Sequence, residues 1–170
     1  IEHGTYLSDS TLRLMKQKGV WLVPTLSTIV DLTQPGGDYD DPVLVLRGQH
    51  MAPRIEDTIR RAHALGIRIA AGADTDYGAE GLTRISHEVM RFRGLGLTPV
   101  EALAAATSGA AELLGAGART GRVAEGLEAD LIVLEGNPLD DPALLQDVLI
   151  VVTNGRVVLN RLPFGRPAPR

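Results

Sequence analysis

The chain has 170 residues, a net charge of −4 and 44% apolar residues, a composition typical of a globular domain with a sizeable core. Interspersed charges and an aromatic content of only 4% argue against a nucleic-acid surface, and no apolar run reaches the ~18 residues of a membrane helix. Because cysteine is absent, disulfides and thiolate metal sites are excluded, and a metal would need His, Asp or Glu ligands.

The first elements are a strand end, a helix and a buried strand. Residues 1–4 (IEHG) place a histidine at a strand end, immediately before a glycine turn. Ser8 or Asp9 then caps a helix that ends at Gly19. The β-branched, apolar run VWLVPTL at 20–26 predicts a strand buried on both faces.

A loop, a helix and another strand follow. Residues 33–42 (TQPGGDYDDP) are rich in turn-formers and long enough for an active-site loop. Residues 53–65 predict a helix that begins at a proline and is closed by Gly66. The short apolar run GIRIAAG at 66–72 predicts a second buried strand.

The next segment is helical. A helix is predicted over 82–95, and a second helix begins at 98–101, where Thr-Pro-Val-Glu supplies an N-cap, a proline at the first position and a capping-box glutamate. The alanine-rich run that follows extends to Gly115. It is predicted to kink or split near 108–109.

From about Gly121 the pattern changes to strands with turn signals between them. ADLIVLEGNP at 129–138 predicts a strand, in which Asp130 is expected to stabilise a hairpin. VLIVVTNGRVVL at 148–159 predicts a hairpin turning at Asn-Gly. We therefore predict three units: an α/β part at 1–115, a small β part at 116–162 and a tail at 163–170.

The alternation of strand and helix in the first part predicts an α/β fold with parallel strands joined by right-handed βαβ crossovers. Three parallel strands are too few for a closed barrel of ~250 residues. Since the chain starts within a strand, we expect most of a (β/α)₈ barrel to lie before Ile1.

Two polar residues occupy strand ends, where parallel α/β folds collect their reactive groups. His3 follows the first strand, and Asp74 follows the strand at 66–72. An imidazole and a carboxylate in equivalent positions could share one metal ion. The competing interpretations are a hydrogen-bonding structural histidine and an aspartate that serves as a turn residue or N-cap.

Other polar residues carry weaker signals. His50 follows the predicted loop and could reach a substrate, although a surface role is the simpler interpretation. His63 is expected to face solvent or to pack. Tyr77, Arg84 and His87 lie close in sequence to the second strand-end residue, so we predict substrate contacts for them, with packing beside the site as the alternative for His87 and for its neighbour Glu88.

Several motifs occur in a characteristic order along the chain. They are IEHG, LVPTL, GIRIAAGADT, LTPVEALAAATSGAAELLG, GRVAEGLEADLIVLEGNPLDD and VTNGRVV. In this order they resemble the C-terminal portion of the amidohydrolase superfamily, in particular its imidazolonepropionase-like and Xaa-Pro dipeptidase-like branch. The resemblance covers nearly the whole chain except the 28–50 loop and the tail.

The resemblance implies a metal-dependent hydrolase in which this chain supplies strands 6 to 8 of a (β/α)₈ barrel and part of a small β-sandwich. It makes His3, at the end of the sixth strand, a metal ligand. Asp74, at the end of the eighth strand, would be both a ligand and the general base for the attacking water. The implied cofactor is one or two divalent ions, with zinc the first candidate. Ala73 stands where the family often has Thr, a sterically conservative change.

The family's remaining ligands have no counterpart in this chain. They are a His-x-His on the first strand, an often carboxylated lysine on the fourth and a histidine on the fifth. We expect these residues to lie before Ile1, in an N-terminal part of the same protein that acts as the partner of this piece. The chain alone would then be inactive.

The first functional hypothesis is hydrolysis of C–N bonds in small molecules such as dipeptides or cyclic amides, with the loop at 28–50 lining the substrate pocket. The alternative is a non-catalytic amidohydrolase-like scaffold kept for assembly. A third possibility is an isolated fragment that associates through open strand edges. We further expect a cytoplasmic homo-oligomer with no nucleic-acid or membrane partner.

Overall fold

The computed structural model describes residues 1–34, 36, 41–74 and 84–162. Three short extended segments, 1–3, 22–23 and 68–70, lie side by side and run parallel. The N–H of Val23 donates to the carbonyl of Ile1 at 2.9 Å. On the other side of this middle segment, the N–H of Leu22 donates to the Arg68 carbonyl at 3.0 Å. The predicted parallel arrangement is therefore confirmed for these segments.

Helix α1 spans Asp9–Lys18 and crosses from the first parallel segment to the second. It begins as predicted, because the Ser8 hydroxyl accepts a hydrogen bond from the Thr11 N–H at 3.2 Å. It ends at Gly19, whose φ of 65° lies in the left-handed region that a residue with a Cβ adopts only with strain. Leu12 and Met15 form its buried face.

The region from 20 to 65 differs from the predicted strand, loop and helix. The strand ends at Val23, and helix α2 already begins within the predicted strand, spanning Leu26–Asp31. Helix α3 spans Pro42–Ala64, with the Asp41 side chain capping it, so most of the predicted 28–50 loop is helical. Pro53 lies inside α3 on its exposed side. The predicted helix start at this proline was therefore wrong.

Three helices complete the α/β part. Helix α4 spans Ile85–Gly94, α5 spans Pro99–Ala105 and α6 spans Ser108–Leu113. The predicted capping box of α5 is confirmed, since the Thr98 N–H donates to the Glu101 carboxylate at 2.7 Å and the Glu101 N–H donates back to the Thr98 hydroxyl at 3.2 Å. The gap between α5 and α6 confirms the predicted split.

The last part of the described chain forms a small antiparallel sheet. Strands β1 (Leu131–Val133), β2 (Ile150–Thr153) and β3 (Arg156–Asn160) follow the order β1-β2-β3, and a short 3₁₀ helix precedes β2 at Pro142–Gln146. Asp130 accepts a hydrogen bond from the Asn154 N–H at 2.8 Å, so its predicted hairpin role is confirmed.

The core lies between the parallel segments and the helices that cover them. Its largest fully buried apolar side chains come from α1, the parallel segments, α2, α3 and α4: Leu12, Leu22, Leu26, Ile55, Ile59 and Phe92. Within the described ranges, none of the helices has the length and apolarity needed to cross a membrane. The division at 115/116 stays a prediction, and the tail at 163–170 lies outside the described residues.

Candidate metal centre

Three polar residues at one edge of the parallel segments, each on a different segment or just after it, share an unusual backbone conformation. His3, Thr25 and Asp74 have φ values of 59°, 52° and 53°, all in the left-handed region that residues other than glycine rarely adopt. In the described part of the chain, the only other non-glycine residue with a positive φ is Asn154, in the hairpin turn. Such strain persists where surrounding structure holds it, and it clusters at functional sites.

Thr25 fixes the orientation of the His3 ring. The His3 Nδ1 lies 2.8 Å from the Thr25 hydroxyl oxygen, and this hydroxyl donates its proton to the Pro24 carbonyl at 2.7 Å. Because a hydroxyl has a single proton, the Nδ1 of a neutral His3 must carry the hydrogen of the first bond. The Nε2 atom then has an unprotonated lone pair, which is the state in which imidazole binds a metal.

His3 and Asp74 face each other across this edge. The His3 Nε2 lies 3.9 Å from the Asp74 Oδ2, and the two side chains are 49% and 61% exposed. Two donors that bind one Zn²⁺ at about 2.1 Å each are roughly 3–4 Å apart. The pair therefore has donor types and a separation that suit a shared divalent ion, and its exposure leaves room for a substrate.

The beginning of α2 contacts both members of the pair. Its N-cap residue Thr25 binds the His3 ring, and the Thr28 hydroxyl donates to the carbonyl of Ala73, directly before Asp74. The Thr28 hydroxyl oxygen also lies 3.4 Å from the Asp74 carbonyl. One turn of helix therefore connects the two strand ends that present the candidate ligands.

Glu88 on α4 is completely buried against this same turn. Its carboxylate accepts hydrogen bonds from the Leu26 N–H at 2.9 Å, the Ser27 N–H at 2.8 Å and the Ser27 hydroxyl at 2.7 Å. Burial raises the pKa of Glu88, whereas these hydrogen bonds and the positive charge of Arg91 act in the opposite direction. The arrangement gives α2 an N-terminal cap from a distant helix.

The predicted substrate-contact residues are distributed differently. Tyr77 lies outside the described residues. Arg84 is the N-cap residue of α4, and its backbone N–H donates to the Nδ1 of His87 at 3.1 Å. One nitrogen of His87 therefore caps a helix, and the substrate-contact role of these residues stays a prediction.

The other two histidines lie in separate surroundings. The ring of His50 is exposed on α3, with its centroid 6.1 Å from that of Tyr6. The Nε2 of His63 lies 3.3 Å from the carboxylate of Glu101, and its side chain is half-buried, between the solvent-facing and packed positions expected for it. Within the described ranges, no group of three or more His, Asp or Glu residues could hold a metal, so the pair of His3 and Asp74 is at most a partial ligand set.

Sequence reasoning missed Thr25 and Thr28 as parts of this site, whereas the packing expected for Glu88 beside the site agrees with its contacts to Leu26 and Ser27. Thr25 and Thr28 fall within the predicted strand and loop, where their contacts with the candidate ligands could not be foreseen. Glu88 carried one usable signal: it precedes Val89 on the apolar face of α4 and lies on the same helix as the buried Phe92. A carboxylate in such a position needs a hydrogen-bonding partner.

Comparison with known proteins identifies the family. The model of the family described as "Amidohydrolase family" matches residues 1–158. The chain belongs to the amidohydrolase family. The resemblance noted in the sequence motifs is thereby confirmed.

Relatives of known name support this membership. The chain is 36% identical over 148 residues to ochratoxinase of Aspergillus niger, covering 86% of this chain and 30% of that protein. It is 32% identical over 133 residues to imidazolonepropionase of Chromobacterium violaceum, covering 78% of this chain and 28% of the relative. Our amidohydrolase chain thus spans about a third of these relatives' length.

Solved structures give the same result for the fold. A Xaa-Pro dipeptidase with methionine bound in its active site superimposes with a TM-score of 0.82 at 30% identity, covering 94% of this chain and 39% of that one. The Aspergillus niger ochratoxinase structure matches with a TM-score of 0.74 at 31% identity, covering 94% of this chain and 36% of the other. The described fold is therefore part of an amidohydrolase fold.

Proposed function

We propose that the protein is a metal-dependent hydrolase that cleaves C–N bonds in small substrates such as dipeptides or cyclic amides. The observation that carries the proposal is the 3.9 Å approach of the His3 Nε2 to the Asp74 carboxylate, with the His3 ring oriented by Thr25. Similarity to a Xaa-Pro dipeptidase supports the bond type, because a dipeptidase cleaves a peptide C–N bond.

His3 and Asp74 are the residues that we propose hold the metal. A divalent ion, with zinc the first candidate, would supply Lewis acidity and lower the pKa of a water molecule. Asp74 would accept a proton from the attacking water and transfer it to the leaving amine. The 61% exposure of the Asp74 side chain leaves the carboxylate accessible to both.

We propose that the remaining ligands come from a part of the protein outside residues 1–170. This rests on the two-ligand limit within the described residues and on coverage of only 28–30% of the curated relatives. In this arrangement the parallel segments 1–3, 22–23 and 68–70 are strands 6, 7 and 8 of the barrel. The chain by itself would then lack activity.

We further propose that Tyr77, Arg84 and His87 contribute to the substrate side of the site. Arg84 and His87 form the first turn of α4, the same helix that carries Glu88 into contact with α2. Since the Nδ1 of His87 accepts the Arg84 N–H, a substrate contact by this ring has to involve Nε2.

The experiment is a hydrolysis assay on the protein in its full gene-encoded length, with Xaa-Pro and other dipeptides and cyclic amides as substrates. We expect turnover that disappears on chelation and returns with Zn²⁺. Asp74→Asn should lower kcat by about 10²–10⁴-fold, the range for a lost general base. Normal metal-dependent turnover by Asp74→Asn would refute the role of Asp74. If no substrate is hydrolysed although metal binds at His3, the non-catalytic scaffold is favoured.

A further inference from the structure

Glu88 is a buried carboxylate that the proposed chemistry does not use. It projects from α4 with no exposed surface, and both of its oxygens accept hydrogen bonds from the first residues of α2, Leu26 and Ser27. Burial of an ionisable group is unfavourable unless hydrogen bonds compensate for lost hydration. Among the hydrogen bonds of the described residues, this compensation for Glu88 comes from α2 alone, so the carboxylate and the start of α2 depend on each other.

The dependence of α2 on Glu88 follows from the weakness of α2 as an independent helix. It has six residues, and its N-cap Thr25 makes no side-chain cap hydrogen bond, since its hydroxyl binds Pro24 and His3 instead. Short helices are marginal without external support, and their first N–H groups need acceptors. Glu88, which lies 62 positions after Leu26 in the sequence, accepts hydrogen bonds from two of these groups, the N–H of Leu26 and the N–H of Ser27.

The supported turn is the one that contacts both candidate ligands. Thr25, directly before Leu26, positions the His3 ring, and Thr28, directly after Ser27, binds the carbonyl that precedes Asp74. In the four residues 25–28, the two outer residues contact the candidate ligand segments and the two inner residues contact Glu88. A shift of this turn would move the His3 ring and the Asp74 backbone together.

We propose that Glu88 is a positioning residue that sets the separation of His3 and Asp74 through the 25–28 turn. The inference rests on the proposed metal-binding function of that pair. It predicts that Glu88 controls metal affinity without touching the metal or the substrate.

The test compares Zn²⁺ affinity, measured by chelator competition, in the full-length protein and in Glu88→Gln. Glutamine has the same shape but only one acceptor oxygen. Its amide group therefore faces a backbone N–H of Leu26 or Ser27, donor against donor, in either orientation. We expect the dissociation constant for Zn²⁺ to rise about 10–100-fold, the usual effect of changing a group that supports a ligand.

The matched control is Val89→Ala, which removes buried atoms from the neighbouring position of α4 and leaves the α2 cap intact. It should lower the melting temperature while Zn²⁺ affinity stays within about 2-fold of wild type. Ser27→Ala removes only one of the three Glu88 hydrogen bonds. We expect a smaller rise in the dissociation constant, which keeps the proposal testable even if Glu88→Gln does not fold.

The outcomes separate this inference from the proposed function. If His3→Ala weakens Zn²⁺ binding but Glu88→Gln and Ser27→Ala do not, the positioning role is wrong and the metal assignment stands. Equal weakening by Glu88→Gln and Val89→Ala would reduce Glu88 to a stability role and also refute the inference. If His3→Ala binds Zn²⁺ as wild type does, both proposals fail.

Discussion

The hydroxyl of Thr25 lies 2.8 Å from the Nδ1 of His3 and determines which nitrogen of that ring carries the proton. The same hydroxyl gives its own proton to the Pro24 carbonyl, so it can only accept from the ring. In the neutral ring, Nε2 is then the unprotonated nitrogen, and it lies 3.9 Å from the Asp74 carboxylate. In the metal centre that we propose, a buried residue that binds no metal itself thus prepares the histidine as a ligand.

Thr25→Val is expected to weaken Zn²⁺ binding about 10-fold, because valine keeps the shape of threonine but releases the Nδ1 hydrogen of His3. Chelator competition on the full-length protein measures the effect. A Thr25→Val protein that binds Zn²⁺ as tightly as wild type would show that the ring needs no support from this residue.

Thr5→Val provides the matched control for that substitution. Thr5 lies two residues after His3 and is 6% exposed, but its hydroxyl has no hydrogen-bond partner within the described ranges. Replacing an unsatisfied buried hydroxyl with a methyl group of the same shape should leave Zn²⁺ affinity unchanged. Stability should be unchanged or higher by up to about 1 kcal/mol, measured by urea unfolding.

Gly72→Ala should disturb the site from the third parallel segment. A Cβ on Gly72 would lie 2.6 Å from Val23 Cγ1 and 3.4 Å from Thr25 Cγ2. The segment before Asp74 must therefore move away from its neighbour. We expect a loss of about 1–3 kcal/mol in the free energy of unfolding, together with weaker Zn²⁺ binding.

Gly94→Ala is the control for that prediction. Gly94 is the last residue of α4, and a Cβ there meets no described atom within 4 Å. Alanine should raise the free energy of unfolding by about 0.4–1 kcal/mol because it restricts the unfolded chain, with Zn²⁺ affinity unchanged. If both alanine variants behave alike, close packing at Gly72 is not what holds the Asp74 segment.

Stability should depend on pH through Glu101. Hydrogen bonds from Thr98 and His63 lower its pKa below the ordinary 4.5. A lowered folded pKa means that the folded state prefers the carboxylate, so the stabilisation is present above pH 4.5 and is lost as pH falls through the folded pKa. We expect the free energy of unfolding at pH 7 to be higher for wild type than for Glu101→Gln by about a few tenths of a kcal/mol.

The difference between these two proteins should shrink to zero in acid, as followed by thermal unfolding at several pH values. Thr98→Ala offers a comparison, because it removes the other half of the capping box. Thr98→Ala should lower the free energy of unfolding by about 1 kcal/mol. A difference between wild type and Glu101→Gln that persists at the lowest pH would contradict the assignment of the lowered pKa to the charged cap.

Elements whose signals are local in sequence could be predicted. Ser8 and Gly19 bound α1, the Thr98 capping box starts α5, and Asn154-Gly155 turns the β2–β3 hairpin, all as expected. Each signal acts within a few residues, through a side chain that binds neighbouring backbone or a glycine that adopts positive φ.

Elements that depend on distant residues could not be predicted. Helix α2 has no local side-chain cap, and the N–H groups of Leu26 and Ser27 at its start donate to Glu88 on another helix. The sequence around Leu26 instead favoured a strand through that position. In α3, a proline at position 53 suggested a helix start, but its ring lies on the exposed side of a helix that begins at Pro42.

The site could be predicted only in part. The strand-end positions of His3 and Asp74 drew attention to them, and the structure brings the two side chains to 3.9 Å. Their role as metal ligands stays a prediction. The contacts of Thr25, Thr28 and Glu88 join segments that are far apart in sequence, and the only local signal among them is the position of Glu88 on the apolar face of α4.

The most direct test of the central claim is calorimetric titration of Zn²⁺ into metal-stripped full-length protein and its His3→Ala variant. If His3 and Asp74 share the metal, His3→Ala should weaken binding by more than about 100-fold, beyond the effect of losing a supporting residue. Its fold, checked by circular dichroism, should be unchanged. Wild-type Zn²⁺ affinity in a folded His3→Ala protein would contradict the proposed metal centre.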